Sequence, residues 1–337
     1  MPSLLSPTTT LNNGQQIPIV GLGTWQLHGD EKTEFIKKAI DLGYRHFDTA
    51  WLYNSEKVIG DAIRQKIADG TVKREDLFIT TKLWCSYAHP DLVVKACRKS
   101  LSNLGLDYLD LFLIHWPFVF KAVDNPDNPT PTPFNNLQEL LSIKEYFPRD
   151  LKGNLIITDD DYVTTWKEME KCVELGLTKS IGVSNFNSVQ IERLLESAKI
   201  KPVTNQIEAH PYLNQKKLIE FCHNRDIIIT SYGPLGGMPS AAKPESKPML
   251  ENPIMVKIAR EKNKTTAQIS LRYLIQCGTI VIPKTSSPKR LLENLSVFDF
   301  TLTPEEMAEI DSINKNERIY KVPGTEGHKN YPFKIEF

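Results

Sequence analysis

The sequence predicts an α/β fold, a single (β/α)8 TIM barrel with an N-terminal β-hairpin and long loops at its C-terminal mouth. Three observations predict it. Short, nearly continuous apolar runs alternate with amphipathic stretches at helical spacing from residue 19 to residue 295, the pattern of parallel strands covered by helices. Eight such units can be counted, which suits a closed barrel better than an open sheet. The first unit also lacks the GxGxxG turn that an open dinucleotide-binding sheet carries after its first strand. At 337 residues the chain is within the range of one barrel with insertions, so residues 1–337 are taken as one domain.

The elements follow in order. Asn13-Gly14 between short extended arms predicts a hairpin over about residues 9–18, a plug or lid for the barrel. IVGLGTW is the first barrel strand, its glycines marking a close approach to the backbone. The helix EKTEFIKKAIDLG stops at Gly43 before the strand RHFDTA, and SEKVIGDAIRQKIADG stops at Gly70 before DLFITTKLW. PDLVVKACRKSLSNLG stops at Gly105 before YLDLFLIHW, and YVTTWKEMEKCVELG at Gly176 before KSIGVSN. A glycine just past a helix takes the left-handed conformation that ends it. SVQIERLLESAK then leads to VTNQIEAH, KKLIEFCHNR to IIITSYGPL, and TTAQISLRYLIQCG to TIVIPK. The helices SPKRLLENL and TPEEMAEIDSI close the pattern. Three segments interrupt it: residues 118–161, including DNPDNPTPTP, residues 235–252, and the tail 318–337. Loops this long are usually functional lids or disordered insertions, and all three would crowd the same mouth.

Composition excludes several classes of function. Hydrophobic residues make up 40% and charged residues 24%, enough for a large core. Lys+Arg and Asp+Glu both number 41, so no net charge draws the chain to nucleic acid or acidic membranes. No apolar run approaches the ~20 residues of a membrane span, and the MPSLLSPTTT start lacks a signal-peptide core. Five scattered cysteines, never CxxC, suit a reducing compartment without structural zinc. The expectation is a cytoplasmic protein without a bound metal, with no oligomer signal and hence a monomer.

Parallel strands of a barrel bring their C-terminal ends to one mouth. Read there, successive strands deliver Asp48, Lys82, His115, Ser184-Asn185, Gln206, Tyr232 and Lys284. A lone aspartate at such a place is ordinarily a turn residue and a lone histidine a satisfied core group. Seven successive polar strand ends are harder to explain that way. Tyr53 follows Asp48 in the next loop. A tyrosine with its usual pKa near ~10 is a poor acid at neutral pH, but an ammonium beside it favours the phenolate. Lys82 is expected to lower the phenol's pKa, with Asp48 holding the lysine, and His115 to orient a substrate oxygen. Such a set donates a proton to a developing alkoxide. It holds no nucleophile beside a base, so hydride from a nicotinamide fits. Ser184, Asn185 and Gln206 suit a carboxamide, and Tyr232 offers a stacking face. IPKTSSPKRLLEN sets Lys284 and Arg290 about a helix start, which favours a phosphate and therefore NADP(H).

The runs GYRHFDTAWLYNSEKVIG, LFITTKLW, LDLFLIHWP, SIGVSNF, NQIEAHPYL and VIPKTSSPKRLLEN together resemble the aldo-keto reductases, with most similarity to the aldose and aldehyde reductase branch, over residues 10–337. The resemblance implies an NADPH/NADP+ barrel that holds its cofactor extended across the mouth and acts on a small carbonyl substrate. It implies Tyr53 as general acid, Lys82 and Asp48 as its tuners, and His115 as the carbonyl-orienting group. Thr24, Trp25 and Asp48 would lie by the cofactor, and Ser184, Asn185 and Gln206 would hold its amide. Tyr232 would stack on the ring, and Gly233, Pro234 and Leu235 would also bind the cofactor. Lys284, Thr285 and Arg290 would meet the 2′-phosphate, Glu293 and Asn294 the adenine, and Ser286 would also lie at the cofactor. Trp25, Trp84, His115 and Trp116 would line the substrate pocket. The chain departs from the pattern at Gly233, where serine is usual, at Asn54-Ser55-Glu56 in place of Gln-Asn-Glu, in the longer 118–161 loop, and at Tyr320, where aldose reductase has a reactive cysteine. The implied activity is reduction of aldehydes and aldoses. Steroid, prostaglandin or other ketones are the alternative substrates, and an NADPH-binding regulatory or structural protein is the alternative outside catalysis. Double-bond reductases carry glutamate at the position of His115 and are disfavoured.

Overall fold

The computed structural model describes residues 5–27, 32–122, 137–144, 146–237 and 248–337. The DNPDNPTPTP run and the middle of the 235–252 loop lie outside these residues. Eight parallel strands follow one another in chain order around the molecule. After the hairpin strands β1 (Thr8–Thr10) and β2 (Gln16–Pro18) come β3 (Leu22–Gly23), β4 (His46–Asp48), β5 (Phe78–Leu83) and β6 (Leu109–Ile114). They continue as β7 (Thr178–Ser184), β8 (Thr204–Glu208), β9 (Ile228–Tyr232) and β10 (Ile280–Val281). Backbone bonds close the ring: Gly21 N–H donates to the Val281 carbonyl and Val281 N–H to the Ile19 carbonyl, both at 2.9 Å. The predicted helix-ending glycines Gly43, Gly70, Gly105 and Gly176 all take positive φ.

The hairpin is a plug rather than a lid. Its Leu11 and Ile17 pack with Phe78, Leu111, Leu113, Val203 and Ile280 inside the barrel. Asn12 Nδ2 fastens it by donating to the Pro202 carbonyl at 2.9 Å and the Asp226 carbonyl at 3.0 Å. With that end filled, the mouth at the opposite end is left for chemistry.

Two helices were not read from the sequence. Pro253–Lys262 begins on an Asn-Pro pair, and Asn252 Oδ1 caps it by accepting from Ile254 N–H at 2.9 Å. The start signal of a capping residue with proline at the first helical position was present. The other, Leu137–Ser142, lies inside the long 118–161 loop. Elsewhere that loop folds back on itself through antiparallel bridges between Phe120 and Ile157 and between Arg149 and Leu155. Among the described residues no helix is long and apolar enough to cross a membrane.

The outer layer is packed tightly at one crossing. Helix Glu56–Ala68 meets helix Pro90–Leu104 so closely that a Cβ added to Gly60 would stand 1.9 Å from the Leu104 carbonyl oxygen. The obstacle is backbone, so the helices must part to admit a methyl group. Gly60→Ala is therefore expected to cost about 1–3 kcal/mol of stability, read as a lower urea midpoint. An unchanged midpoint would show that the crossing yields freely.

Candidate active site

Asp48 ends β4, Lys82 lies one residue before the end of β5, and His115 directly follows β6. The chain leaves β4 through Thr49 and Ala50 into a 3₁₀ turn, Trp51–Tyr53, which stops at Asn54 with φ 52°. Ser55 pins this turn, its Oγ lying 2.9 Å from Thr49 Oγ1 and 3.2 Å from Thr24 Oγ1. The serine counted as a departure thus serves to hold Tyr53 in place.

Lys82 and Asp48 form a buried ion pair, their side chains 1% and 3% exposed, with Nζ 2.5 Å from Oδ1. Lys82 also donates to the Thr49 carbonyl at 2.9 Å, and Gln206 Nε2 donates to Asp48 Oδ2 at 2.7 Å. The ammonium sits 4.8 Å from the centre of the Tyr53 ring. Burial lowers the Lys82 pKa, and Asp48 opposes that fall. The phenol does not behave as expected. Burial pushes the Tyr53 pKa well above its ordinary value, and Asp48 pushes it the same way. The ammonium is paired with the carboxylate, so the phenol meets both charges and its proton is held tightly. Burial, together with Lys82, pushes the His115 pKa well below the ordinary histidine value, so the imidazole is neutral at pH 7. Its Nδ1 is buried without a hydrogen-bond partner among the described residues. The Tyr53 and His115 rings meet edge to face at 5.8 Å.

Next to this group the strand ends bond one another. Ser184 Oγ donates to the Gln206 carbonyl at 2.8 Å, and Asn185 Nδ2 to the His115 carbonyl at 3.0 Å. The Tyr232 hydroxyl donates to Asn185 Oδ1 at 2.7 Å. A Cβ on Gly233 would stand 2.9 Å from Tyr320 Cε2, and Gly233 has φ 59°. The Tyr320 ring lies 5.6 Å from that of Tyr232. Gly233 and Tyr320, noted separately as departures, are one adjustment: the tail's ring fills the space a serine would need.

A cavity of about 310 Å³ opens over the group. Of the residues expected at the site, Thr24, Trp25, Asp48, Tyr53, Trp84, His115, Trp116, Ser184, Asn185, Gln206, Tyr232, Gly233 and Lys284 line it. Lys82, Pro234, Leu235, Thr285, Ser286, Arg290, Glu293 and Asn294 do not line it; Lys82 is joined to the site through its pair with Asp48. Pro234 instead accepts the Ser270 hydroxyl on its carbonyl at 2.5 Å, and Thr285 Oγ1 accepts the Ser287 N–H at 3.1 Å. Arg290, Glu293 and Asn294 lie on the helix Pro288–Leu295 that follows β10. Two groups along this path lack a partner. Partial burial lowers the Lys284 pKa with no carboxylate paired to it among the described residues, and Asn294 Nδ2 is buried without a hydrogen bond. An anion and a polar heterocycle would satisfy them.

Sequence reading missed Leu52, Leu140, Leu141, Phe147, Ile319 and Val322 in the cavity wall. The first loop residues had a signal, since LQELLSIKEYF places apolar residues at helical spacing. Trp84 Nε1 ties this part of the loop down by donating to the Tyr146 carbonyl at 2.9 Å.

A protonated phenol and a neutral imidazole beside an aromatic well can protonate and orient a carbonyl oxygen. Sequence comparison makes the class specific: the profile of the Aldo/keto reductase family matches residues 19–315, and the chain belongs to that family. It is 44% identical to prostaglandin F synthase 1 of Bos taurus, over 98% of this chain and 99% of that protein. It is also 44% identical to aldo-keto reductase family 1 member A1 of Gallus gallus, over 96% of each. The solved structure of the aldose reductase from Schistosoma japonicum matches with a TM-score of 0.86 and 41% identity, over 98% of this chain and 99% of that one.

Proposed function

We propose that this enzyme reduces aldehydes, aldoses among them, to alcohols, with NADPH as the reductant and Tyr53 as the proton donor. The convergence of Tyr53, His115 and Asp48 on one cavity, with Lys82 paired to Asp48 and set against the Tyr53 ring, carries this reading. When bound, the cofactor supplies the hydride. His115 Nε2 hydrogen-bonds the carbonyl oxygen and orients it. The Tyr53 hydroxyl gives its proton to that oxygen as negative charge develops there. Lys82, held against the ring by Asp48 and Thr49, stabilises the phenolate left behind. The aromatic walls keep water from the reacting atoms. Gln206 links Asp48 to the strand that would hold the carboxamide, joining the two halves of the site.

A second reading, reduction of ketones with extended apolar bodies, is favoured by one observation: Leu140, Leu141 and Phe147 extend the well with apolar surface. The relatives named prostaglandin F synthase are compatible with it. NADPH consumption with glyceraldehyde, nitrobenzaldehyde, glucose and a steroid ketone separates the two readings. Binding of NADPH with turnover of none of them would support the non-catalytic alternative.

Lys284, with Thr285 and Arg290, would take the 2′-phosphate, and Glu293 with Asn294 the adenine. A charge-assisted contact of this kind contributes about 1.5–3 kcal/mol. Lys284→Met should therefore weaken NADPH binding by about 10–100-fold and leave NADH binding nearly as it was, measured by quenching of protein fluorescence. Equal losses for both nucleotides would refute the phosphate assignment.

A further inference from the structure

The NQIEAHPYL run gives the site Gln206, but its Glu208 has no part in the chemistry above. This side chain ends β8, is fully buried, and faces the C-terminal tail. Ile319 N–H donates to its Oε1 at 2.8 Å and Tyr320 N–H to its Oε2 at 3.0 Å. His210 Nε2 donates to Oε1 at 3.0 Å, and the Arg318 guanidinium lies 3.9 Å from Oε2. We infer that Glu208 is a positioning residue for substrate selection: it fixes the register of the tail so that Ile319 and Tyr320 form a wall of the substrate cavity.

A buried carboxylate is unfavourable unless its oxygens are paired and hydrogen-bonded, and here the partners are two successive backbone N–H groups of a segment without regular structure. Both amides must face the carboxylate together, which sets the tail's register and pitch at that point. The neighbouring anchors involve residues that do not line the cavity. Glu317 N–H donates to the Tyr212 carbonyl at 3.0 Å before the segment, and the Pro332 carbonyl accepts from Asn187 Nδ2 at 2.9 Å after it. Residues 319–323, which line the cavity, lie between them. Held this way, Tyr320 lies against Gly233 and the Tyr232 ring. A slip of one residue would present Lys321 or Ile319 there instead. The wall facing the substrate is therefore set by a residue that need not touch the substrate.

This inference rests on the reductase reading, and its test separates the two. Glu208→Gln replaces one acceptor oxygen by a donor amide, leaving one tail N–H unpaired. With nitrobenzaldehyde and a steroid ketone, KM should rise about tenfold. KM and kcat for glyceraldehyde, and the NADPH dissociation constant, should stay within about twofold. A merely structural role would shrink the active fraction and lower kcat alike for every substrate. That uniform loss, or no change at all, overturns the inference. Should Glu208→Gln fail to fold, Tyr320→Ala, which removes the positioned ring and keeps the carboxylate, must show the same split between substrates, and a uniform loss there also overturns it. Hydrogen exchange of wild-type protein needs no substrate: the amides of Ile319 and Tyr320 should be protected like those of β8. Free exchange refutes the latch whatever the protein reduces. Protection without turnover of any carbonyl refutes the reductase reading and the selection role together.

Discussion

Tyr53→Phe is expected to lower kcat by about 10²–10⁴-fold, the range for loss of a positioned general acid, while NADPH affinity is unchanged. The phenol lines the cavity and, on the proposed mechanism, is the group that gives its proton to the substrate oxygen. The neutral His115 ring can donate a hydrogen bond through Nε2 but is a far weaker acid than an imidazolium. Burial and Asp48 both raise the Tyr53 pKa, so the hydroxyl is protonated across the neutral range and into alkaline pH. The sign of the pH dependence follows: the acid form is lost only as pH rises through this raised pKa. kcat/KM should therefore show no decline assignable to Tyr53 below the ordinary phenol value of ~10. Steady-state rates of NADPH consumption across pH, for wild type and Tyr53→Phe, check both statements. A variant with its full rate would remove Tyr53 from the mechanism, and a wild-type fall near neutrality would show that the bound state lowers the phenol strongly.

How far the sequence carried the site can be seen from these same residues. Strand and helix runs alternate, so the barrel and the identity of its strand ends were legible: Asp48, His115, Gln206 and Tyr232 line one cavity, and Lys82 is paired to Asp48. Whether Lys82 or Asp48 governs the phenol was not legible. Both charges were expected next to Tyr53, and only the structure shows them paired at 2.5 Å, so that the phenol faces an ion pair instead of a lone ammonium. The role of Gly233 was hidden for a related reason. It depends on where the irregular tail sets down Tyr320, and that depends in turn on the Glu208 carboxylate. The Leu140–Leu141 wall was obscured by the Pro- and Asn-rich residues that precede it, which made the whole 118–161 stretch read as loop.

Lys82→Met is expected to destabilise the fold by about 3–5 kcal/mol, because it leaves Asp48 buried without its counter-ion. Lys82 and Asp48 are almost inaccessible to water, so solvent cannot replace the lost partner, and the remaining Gln206 bond at 2.7 Å satisfies only one carboxylate oxygen. The change should also abolish most activity, which by itself would not separate catalysis from folding. The double variant Lys82→Met with Asp48→Asn does separate them. Asparagine keeps an oxygen for Gln206 and removes the stranded charge, so most of the lost stability should return, as it does when buried pairs are replaced as a unit. Turnover should not return, because no ammonium remains to stabilise the Tyr53 phenolate, and kcat should stay at least about 10²-fold below wild type. Urea unfolding and steady-state kinetics on the three proteins measure the two effects independently. A single variant with the wild-type midpoint would contradict the buried pair, whereas a double variant with restored turnover would show that the charge of Lys82 has no part in the reaction and that Asp48 and Lys82 serve the fold alone.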